Sequence, residues 1–395
     1  MWAAFLPVDV QGMNPEVDRQ LQDAPPRTYY AHAAGRLIDL VRRIRGKYPT
    51  YTISLKSLLT ASLLVIVASL SHAGTGLFMK NSLQLPTMRT HCIGRYLIDL
   101  PEEYELTPGS ELTLYYGLDK DFESVRVMLP RQKGNQPQFM QLLNKEVGAL
   151  KSGHHFKSAN KNMLASVQEI DKQMALVQSY SSSRQMESLR LHLYTEKEGA
   201  IVRLEDFKYS QDPRTAEHVE NQLIRIAQNT RFAPTPEKAG PGTCLGTAVI
   251  DAKQDGEVFI LAFKSERHPD AIISIDMSSL PEKGDGGLLQ RVAGKAGLLR
   301  MLDFSSTTLR KGKRQIAGRA GEELLDAGKE GGKVQRHFVA ETLVTEPSSM
   351  NRPVIAISLS MGGLKDKNTD YLDPSLSEKE SLAWWDAIVG SIRAR

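Results

Sequence analysis

The sequence predicts an α+β protein of two similar domains from an internal duplication, each a mainly antiparallel sheet with helices on one face. The main observation is a repeated strand-like stretch, which reads CIGRYLID from Cys92 and CLGTAVID from Cys244. These are the only two cysteines of the chain, so their shared place in one short pattern indicates a repeat. In each half a helix-like segment follows, and an Asp-Pro pair then precedes an amphipathic segment.

Alternation of apolar and polar residues predicts most strands of the first half, and three less regular stretches complete it. These strands are expected around 112–114, 125–129, 163–180, 186–195 and 199–209. A helix is predicted from Pro137 to Gly153, because apolar residues recur there at helical spacing and proline suits a first turn. A second helix is predicted at Ala216–Ala227, with Asp212 as its cap.

The second half repeats this order. Strands are expected near 258–263, 273–277, 314–326, 333–344 and 353–361. Gly318 and Gly321 interrupt one of these stretches, as at a bend or a hairpin turn. Helices are predicted at Gly287–Met301 and at Leu382–Ile392, and a capping-box pattern, SLSE, precedes the last one. Because strands come in runs, a doubly wound parallel sheet is excluded.

A segment rich in proline and glycine, residues 232–242, is expected to link the two domains, since it can continue neither a helix nor a strand ladder. The predicted organisation is an atypical leader at 1–50, a signal peptide at 51–73, an N-terminal domain at 85–231 and a C-terminal domain at 243–395.

Composition narrows the class of protein. The 395 residues exceed what one core usually supports, and 41% hydrophobic with 24% charged residues is typical of a globular protein. The formal net charge is +4, but the basic excess lies mostly in residues 1–73 and the remainder is close to neutral. We therefore expect no attraction to nucleic acid or to an anionic membrane surface.

The segment 51–73 has the features of a secretory signal. A basic cluster precedes the apolar run Leu58–Leu70, and Ser71-His72-Ala73 supplies small residues for cleavage before Gly74. The alternative is an uncleaved inner-membrane anchor facing the periplasm, although the apolar run is shorter than a bilayer span. The leader is interpreted as an over-extended gene start, with a cytoplasmic tail as the alternative.

Sequence patterns of catalytic or cofactor sites are missing. The chain has no Gly-x-Ser-x-Gly, no phosphate-loop pattern, no His-Glu-x-x-His and no cysteine pair with zinc-ligand spacing. His154-His155 is the one local histidine cluster, and we expect it in a solvated turn. We predict no catalytic residue, metal or cofactor, although an enzyme with residues brought together only by folding stays open.

Two features have both a structural and a functional interpretation. Cys92 and Cys244 are either small apolar residues below equivalent strands or, in an oxidising compartment, a disulfide between the domains. A dense basic cluster is either a solvated hairpin or a contact for an acidic patch on a partner. Its members are Arg310, Lys311, Lys313, Arg314 and Arg319.

The stretches THCIGR from Thr90 and TCLG from Thr243, in two similar domains behind an export signal, also carry a family resemblance. The chain resembles the periplasmic immunity proteins that neutralise type VI secretion phospholipase effectors, in the branch with distinct N- and C-terminal domains. The resemblance covers roughly residues 85–395. The long leader and the absence of a lipid-attachment cysteine after the signal depart from the family pattern, but neither touches the two domains.

The resemblance implies a non-enzymatic protein that binds a cognate secreted lipase and occludes its active site. The family offers no catalytic residues to carry over. Two other classes stay open at this point: a periplasmic enzyme, and an envelope scaffold or ligand-binding protein. Contact with a membrane is expected only through an uncleaved signal anchor.

Overall fold

The computed structural model describes residues 85–118, 123–129, 134–209, 212–280, 286–293, 306–363 and 371–395. The predicted leader and signal peptide lie outside these residues, and so does most of the predicted helix after Gly287. The described residues belong to one compact unit. None of the helices within it is long and apolar enough to cross a membrane.

Over its described residues, the first half contains ten strands and two helices. The strands are β1 Met88–Gly94, β2 Tyr96–Pro101, β3 Glu105–Leu106, β4 Glu111–Tyr116, β5 Glu123–Met128, β6 Leu164–Asp171, β7 Met174–Ser182, β8 Gln185–Lys197, β9 Ala200–Lys208 and β10 Thr230–Phe232. The helices are α1 Gln136–Ser152 and α2 Ala216–Gln228.

The part of the second half that the structure describes contains nine strands. They are β11 Thr243–Leu245, β12 Ala248–Ile250, β13 Gly256–Lys264, β14 Ala271–Ser278, β15 Ser306–Ile316, β16 Arg319–Glu330, β17 Lys333–Thr342, β18 Val354–Gly362 and β19 Arg393–Ala394. Helix α3 is described over residues 288–293, and helix α4 is Glu378–Ser391. Apart from the short strand β3, the described elements of the two halves follow the same order, as the repeated sequence predicts.

The strands form two antiparallel sheets, and both halves contribute to each. The main sheet runs in the order β15-β16-β17-β18-β14-β13-β4-β5-β9-β8-β7-β6, with β3 added beside β13. The small sheet runs β10-β12-β11-β1-β2-β19. The antiparallel α+β class with two similar halves is confirmed, and the halves are joined by shared sheets.

Equivalent strands meet at a pseudo-two-fold axis. In the small sheet β1 pairs with β11, with Ile93 opposite Leu245, and in the main sheet β4 pairs with β13. The last strand of each half then crosses over, because β10 pairs with β12 and β19 pairs with β2. Each half therefore completes an edge of the small sheet with a strand from the other half.

The core lies between the two sheets. The inner face of the main sheet carries side chains such as Leu114, Phe259 and Ile275, which are nearly or fully inaccessible to solvent. Ile93 and Tyr96 of the small sheet, together with helices α2 and α4, belong to the same buried cluster. Burying this apolar surface is the main stabilising contribution.

Helices cover both faces of the main sheet, which corrects the prediction of helices on one face. Helix α2 packs on the inner face, whereas α1 packs through Phe139 and Leu143 on Ala175 and Val177 of the outer face. The physical reason is visible in β7, which begins with the unbroken apolar run MALV. A strand that is apolar on both sides needs cover on both sides.

Local signals set the helix ends. Asn135 and Gln138 form a capping box at the start of α1, and Ser377 and Glu380 form one at α4, as the sequence predicts. The cap of α2 is Thr215, whose hydroxyl accepts a hydrogen bond from the backbone of His218, and not Asp212 as predicted.

The carboxylate of Asp212 instead accepts hydrogen bonds from the guanidinium group of Arg214 at 2.8–3.1 Å. The predicted strand at 163–180 is in fact the hairpin β6–β7.

Cys92 and Cys244 form a disulfide across β1 and β11, which confirms the interpretation of the repeated cysteines as a bridge between the halves. Their Cα atoms are 5.8 Å apart. Both side chains face away from the main sheet, where Ala233 and Ala239 from the segment between the halves cover them. The segment 232–242 is therefore packed against the disulfide.

We expect loss of this disulfide to lower stability while leaving the fold intact. The bridge joins residues 152 apart in sequence, and the chain-entropy model gives about 4–5 kcal/mol for a loop of that order. The double variant C92A/C244A should lose about 2–5 kcal/mol in the free energy of unfolding, measured in urea. The oxidised wild-type protein should also contain no titratable thiol after unfolding. Equal urea midpoints for the two proteins would contradict a stabilising bridge.

Candidate functional site

Within the described residues, no helix covers the outer face of the central strands. Helix α1 lies over β6–β8 at one end of the sheet. Helix α3 lies at the other end, where the backbone N–H of Leu289 donates to Glu322 and Arg291 pairs with Glu341 at 2.5 Å. Between these helices, strands β9, β5, β4, β13, β14 and β18 expose one continuous surface from both halves. We call this surface the open face.

An exposed isoleucine lies at the centre of the open face. Ile260 of β13 is opposite Glu111 of β4 on one side and Asp276 of β14 on the other. Its side chain is 46% exposed, although β13 is a central strand of the sheet. A large apolar side chain flanked by carboxylates at the pseudo-two-fold axis is a feature of a contact surface more than of a core.

The carboxylate of Asp276 is partly buried, and no described residue compensates its negative charge by a hydrogen bond or an ion pair. Its pKa is raised to about 6, and the cause is burial among its neighbours. No hydrogen bond or ion pair reaches this carboxylate from elsewhere in the described chain. The next residue across the sheet is Ala356, which offers no polar side chain. A cationic or hydrogen-bond-donating group of a partner would therefore meet an acceptor that none of the described residues uses.

The β9 end of the open face, together with the adjoining Arg190 of β8, is cationic and aromatic. The ring of Phe207 has the guanidinium carbon of Arg190 at 5.0 Å and that of Arg126 at 5.6 Å, and it stacks on Tyr209 at an interplanar angle of 12°. Tyr209 is 50% exposed. Arginine and tyrosine are among the residue types that contribute most to protein interfaces.

A buried glutamate fixes part of this cationic end. Glu205 pairs with His192 at 2.6 Å and with Arg126 at 3.3 Å. Burial raises the pKa of Glu205, but hydrogen bonding and the positive charges around it outweigh burial and lower the pKa overall. The glutamate thus stays ionised and holds Arg126 in place beside Phe207.

Comparison with known proteins places the chain in a family. Residues 89–232 match the family model of the N-terminal domain of Tle cognate immunity protein 4, and residues 236–395 match that of its C-terminal domain. The chain belongs to this immunity protein family. Residues 1–75 match a further model, the T6SS Tle3 phospholipase effector domain. No curated protein matches the chain.

Solved structures of this family share the fold. The apo immunity protein TplEi of the T6SS from Pseudomonas aeruginosa is 26% identical, with a TM-score of 0.55 over 78% of this chain and 97% of that chain. The Tle4-Tli4 complex gives 25% identity and a TM-score of 0.55, with 78% and 97% coverage. TplEi complexed with an "L" peptide gives 25% and 0.53, with 78% and 98% coverage.

The predicted basic cluster lies on the hairpin β15–β16, and its members have different surroundings. Arg310 donates to both carboxylate oxygens of Asp386 at 3.0 and 2.6 Å, and Arg314 donates to one of them at 2.7 Å. Burial raises the pKa of Asp386, but hydrogen bonds from the two arginines lower it overall. These two guanidinium groups are therefore engaged within the molecule, on helix α4.

The other three members of the basic cluster have different surroundings. Arg319 lies over the ring of Tyr96 at 5.9 Å and donates to the backbone oxygen of Pro353. Lys311 and Lys313 are exposed. A partner contact through this hairpin stays a prediction, and its structural basis is the two lysines.

One member of the histidine pair departs from the prediction of a solvated turn, since His154 is exposed but His155 is not. His155 is fully buried, and its Nδ1 accepts the backbone N–H groups of Lys157 and Ser158 at 3.1 and 2.8 Å. The ring organises the loop after α1 and leaves its neighbour Phe156 56% exposed. Within the described residues no group of three side chains is placed to hold a metal ion.

The raised pKa of Asp276 predicts a pH-dependent stability. Since the folded pKa, about 6, exceeds the unfolded value of about 3.9, stability is full below pH 4 and falls as the pH rises through 6. The variant D276N lacks this penalty, so it should be more stable than wild type at pH 7.5 by about 1–2 kcal/mol, discounted for partial exposure.

Chemical denaturation at both pH values measures the difference. The comparison at pH 4 is the internal control, because there wild type and variant should agree. A variant that is less stable than wild type at pH 7.5 would show that the ionised carboxylate is compensated in the folded protein.

Proposed function

We propose that this protein is an immunity protein that binds a cognate type VI secretion phospholipase effector through the open face and so blocks access to its active site. The observation that carries the proposal is the match of both halves to the two domains of one immunity family. The solved Tle4-Tli4 complex of a related fold supports a protein partner. The effector-domain match in residues 1–75 associates the same chain with phospholipase effectors.

The open face suits this role because both halves form it. A stable inhibitory complex should bury well over ~1,200 Å², and an uncovered surface that crosses the pseudo-two-fold axis offers such an area on one rigid sheet. Its centre is apolar at Ile260, and charged groups lie on either side. Membership in an immunity family implies that binding, not catalysis, is the activity. The proposal needs no catalytic residue of this chain.

The proposal predicts stoichiometric inhibition. Fatty-acid release by the cognate lipase should fall to background near one equivalent of this protein. The variant I260R should weaken inhibition by about thirtyfold or more, because a central interface side chain of this kind is worth on the order of 2 kcal/mol. The matched control is L85R, which alters a comparably exposed side chain, 45% against 46%, in the segment before β1.

Three outcomes separate the possibilities. Inhibition by wild type and L85R but not by I260R supports docking on the open face. Full inhibition by I260R moves the contact elsewhere on the protein. Undiminished lipase activity at large excess of wild type rejects the immunity function.

We further propose that the protein acts in the periplasm after export through the signal at residues 51–73, with cleavage before Gly74. The family's effectors and the sequence pattern of the segment support this location. Amino-terminal sequencing of the protein from a periplasmic extract should begin at Gly74. A full-length species in the inner-membrane fraction would instead identify the segment as an uncleaved anchor.

A further inference from the structure

We infer that the cluster formed by Arg126, Arg190, Phe207 and Tyr209 receives an acidic side chain of the effector, flanked by apolar residues. The inference rests on the proposed function and assigns one part of the open face to one partner chemistry. It follows from the charge, exposure and rigidity of this cluster.

Charge is the first argument. Glu205 is the carboxylate of the cluster, and it is already shared between His192 and Arg126. Arg190 is exposed on the surface and has no ion pair among the described residues. Glu205 also interacts electrostatically with Arg190, so one carboxylate faces two guanidinium groups, and the cluster keeps a net positive charge among the described residues. A carboxylate is the group that this fork of donors binds best in a protein partner.

Rigidity is the second argument. Phe207 contacts both guanidinium groups and stacks on Tyr209, with ring centroids 5.9 Å apart. A guanidinium held over an aromatic ring loses less conformational freedom on binding than a free one, so more of its interaction energy appears as affinity. The arginines Arg310 and Arg314 of the predicted basic cluster differ, because the two carboxylates of Asp386 and Glu323 already pair with them.

An apolar rim continues the cluster along strand β8. Met186, four residues before Arg190, is 41% exposed, and Phe156 beside the β7–β8 turn is 56% exposed. The guanidinium of Arg184 lies 5.8 Å from the ring of Phe156. These side chains extend the same arginine–aromatic chemistry to the end of the sheet. The ligand that fits is an acidic residue within an apolar segment of a protein.

The test is the variant R190E, measured against the cognate lipase by equilibrium binding at several salt concentrations. We expect an affinity loss of at least about tenfold and a weaker salt dependence than wild type. The matched control is R267E, the same change at an exposed arginine of the β13–β14 turn, which should bind like wild type. Both variants should melt at the wild-type temperature.

A second measurement does not depend on folding of R190E. A photoreactive phenylalanine analogue in place of Tyr209 should cross-link to the lipase, and the same analogue in place of Arg267 should not. Wild-type affinity in R190E, or cross-linking from Arg267 alone, overturns the inference but leaves the proposed function standing. Failure of wild type to bind the lipase overturns both.

A lipid surface is the competing ligand, since phosphate also binds arginine forks. Vesicles of phosphatidylglycerol are the probe for this outcome. Binding of wild type but not of R190E to these vesicles, with equal lipase affinity of the two proteins, would assign the cluster to lipid and overturn the inference.

Discussion

The structure depends on the pairing of equivalent strands across one pseudo-two-fold axis. Ile93 lies opposite Leu245 where β1 meets β11, and the disulfide of Cys92 and Cys244 fixes this register. Below it, β4 and β13 join the two main-sheet halves. A register slip of one residue at either place would turn every side chain to the other face. Because the register is fixed, the outer surfaces of both halves align as one open face.

A buried ion pair attaches the small sheet to the main sheet close to this axis. Glu257 of β13 is 1% exposed, and it accepts hydrogen bonds from Arg95 of the β1–β2 turn, from Thr243 of β11 and from Gln254. Removing one partner of such a network typically costs about 3–5 kcal/mol, because a charge stays buried without compensation. Gly94 lies beside the Glu257 carboxylate in this contact between the two sheets.

The repeated glycine of the Cys-x-Gly pattern has a backbone reason. Gly94 and Gly246 have φ of +59° and +63°, which side-chain-bearing residues adopt only at a cost. A Cβ on Gly94 would also lie 2.7 Å from Met277 and 3.2 Å from the Glu257 carboxylate. The three residues of the Cys-x-Gly pattern thus supply a disulfide, a turn with left-handed backbone and a place where the two sheets approach closely.

The sequence alone was enough to predict features that depend on residues close to each other along the chain. Caps such as Asn135 with Gln138 involve residues three apart, and the cysteine repeat marks a duplication directly. Strand order was not predictable, because pairs such as Thr113 with Val258 are chosen by packing of the whole chain.

The same limit applies to the candidate site. Arg314 stands out by local charge density, yet its carboxylate partner Asp386 is 72 residues away. Ile260 lies in the apolar run Val258–Phe263, where an exposed residue cannot be told from a buried one by alternation.

The exchange of terminal strands has a consequence for how the protein is made. Ala394 pairs with Tyr96, and Arg393 contacts Asp99 at a separation of 294 residues, so the small sheet closes only after residues 393–394 have left the ribosome. Until then β2 and the central strand β4 present unpaired edges, which invite wrong partners. Neither half can complete its own part of the two sheets, in contrast to independent domains, which fold one after the other during synthesis.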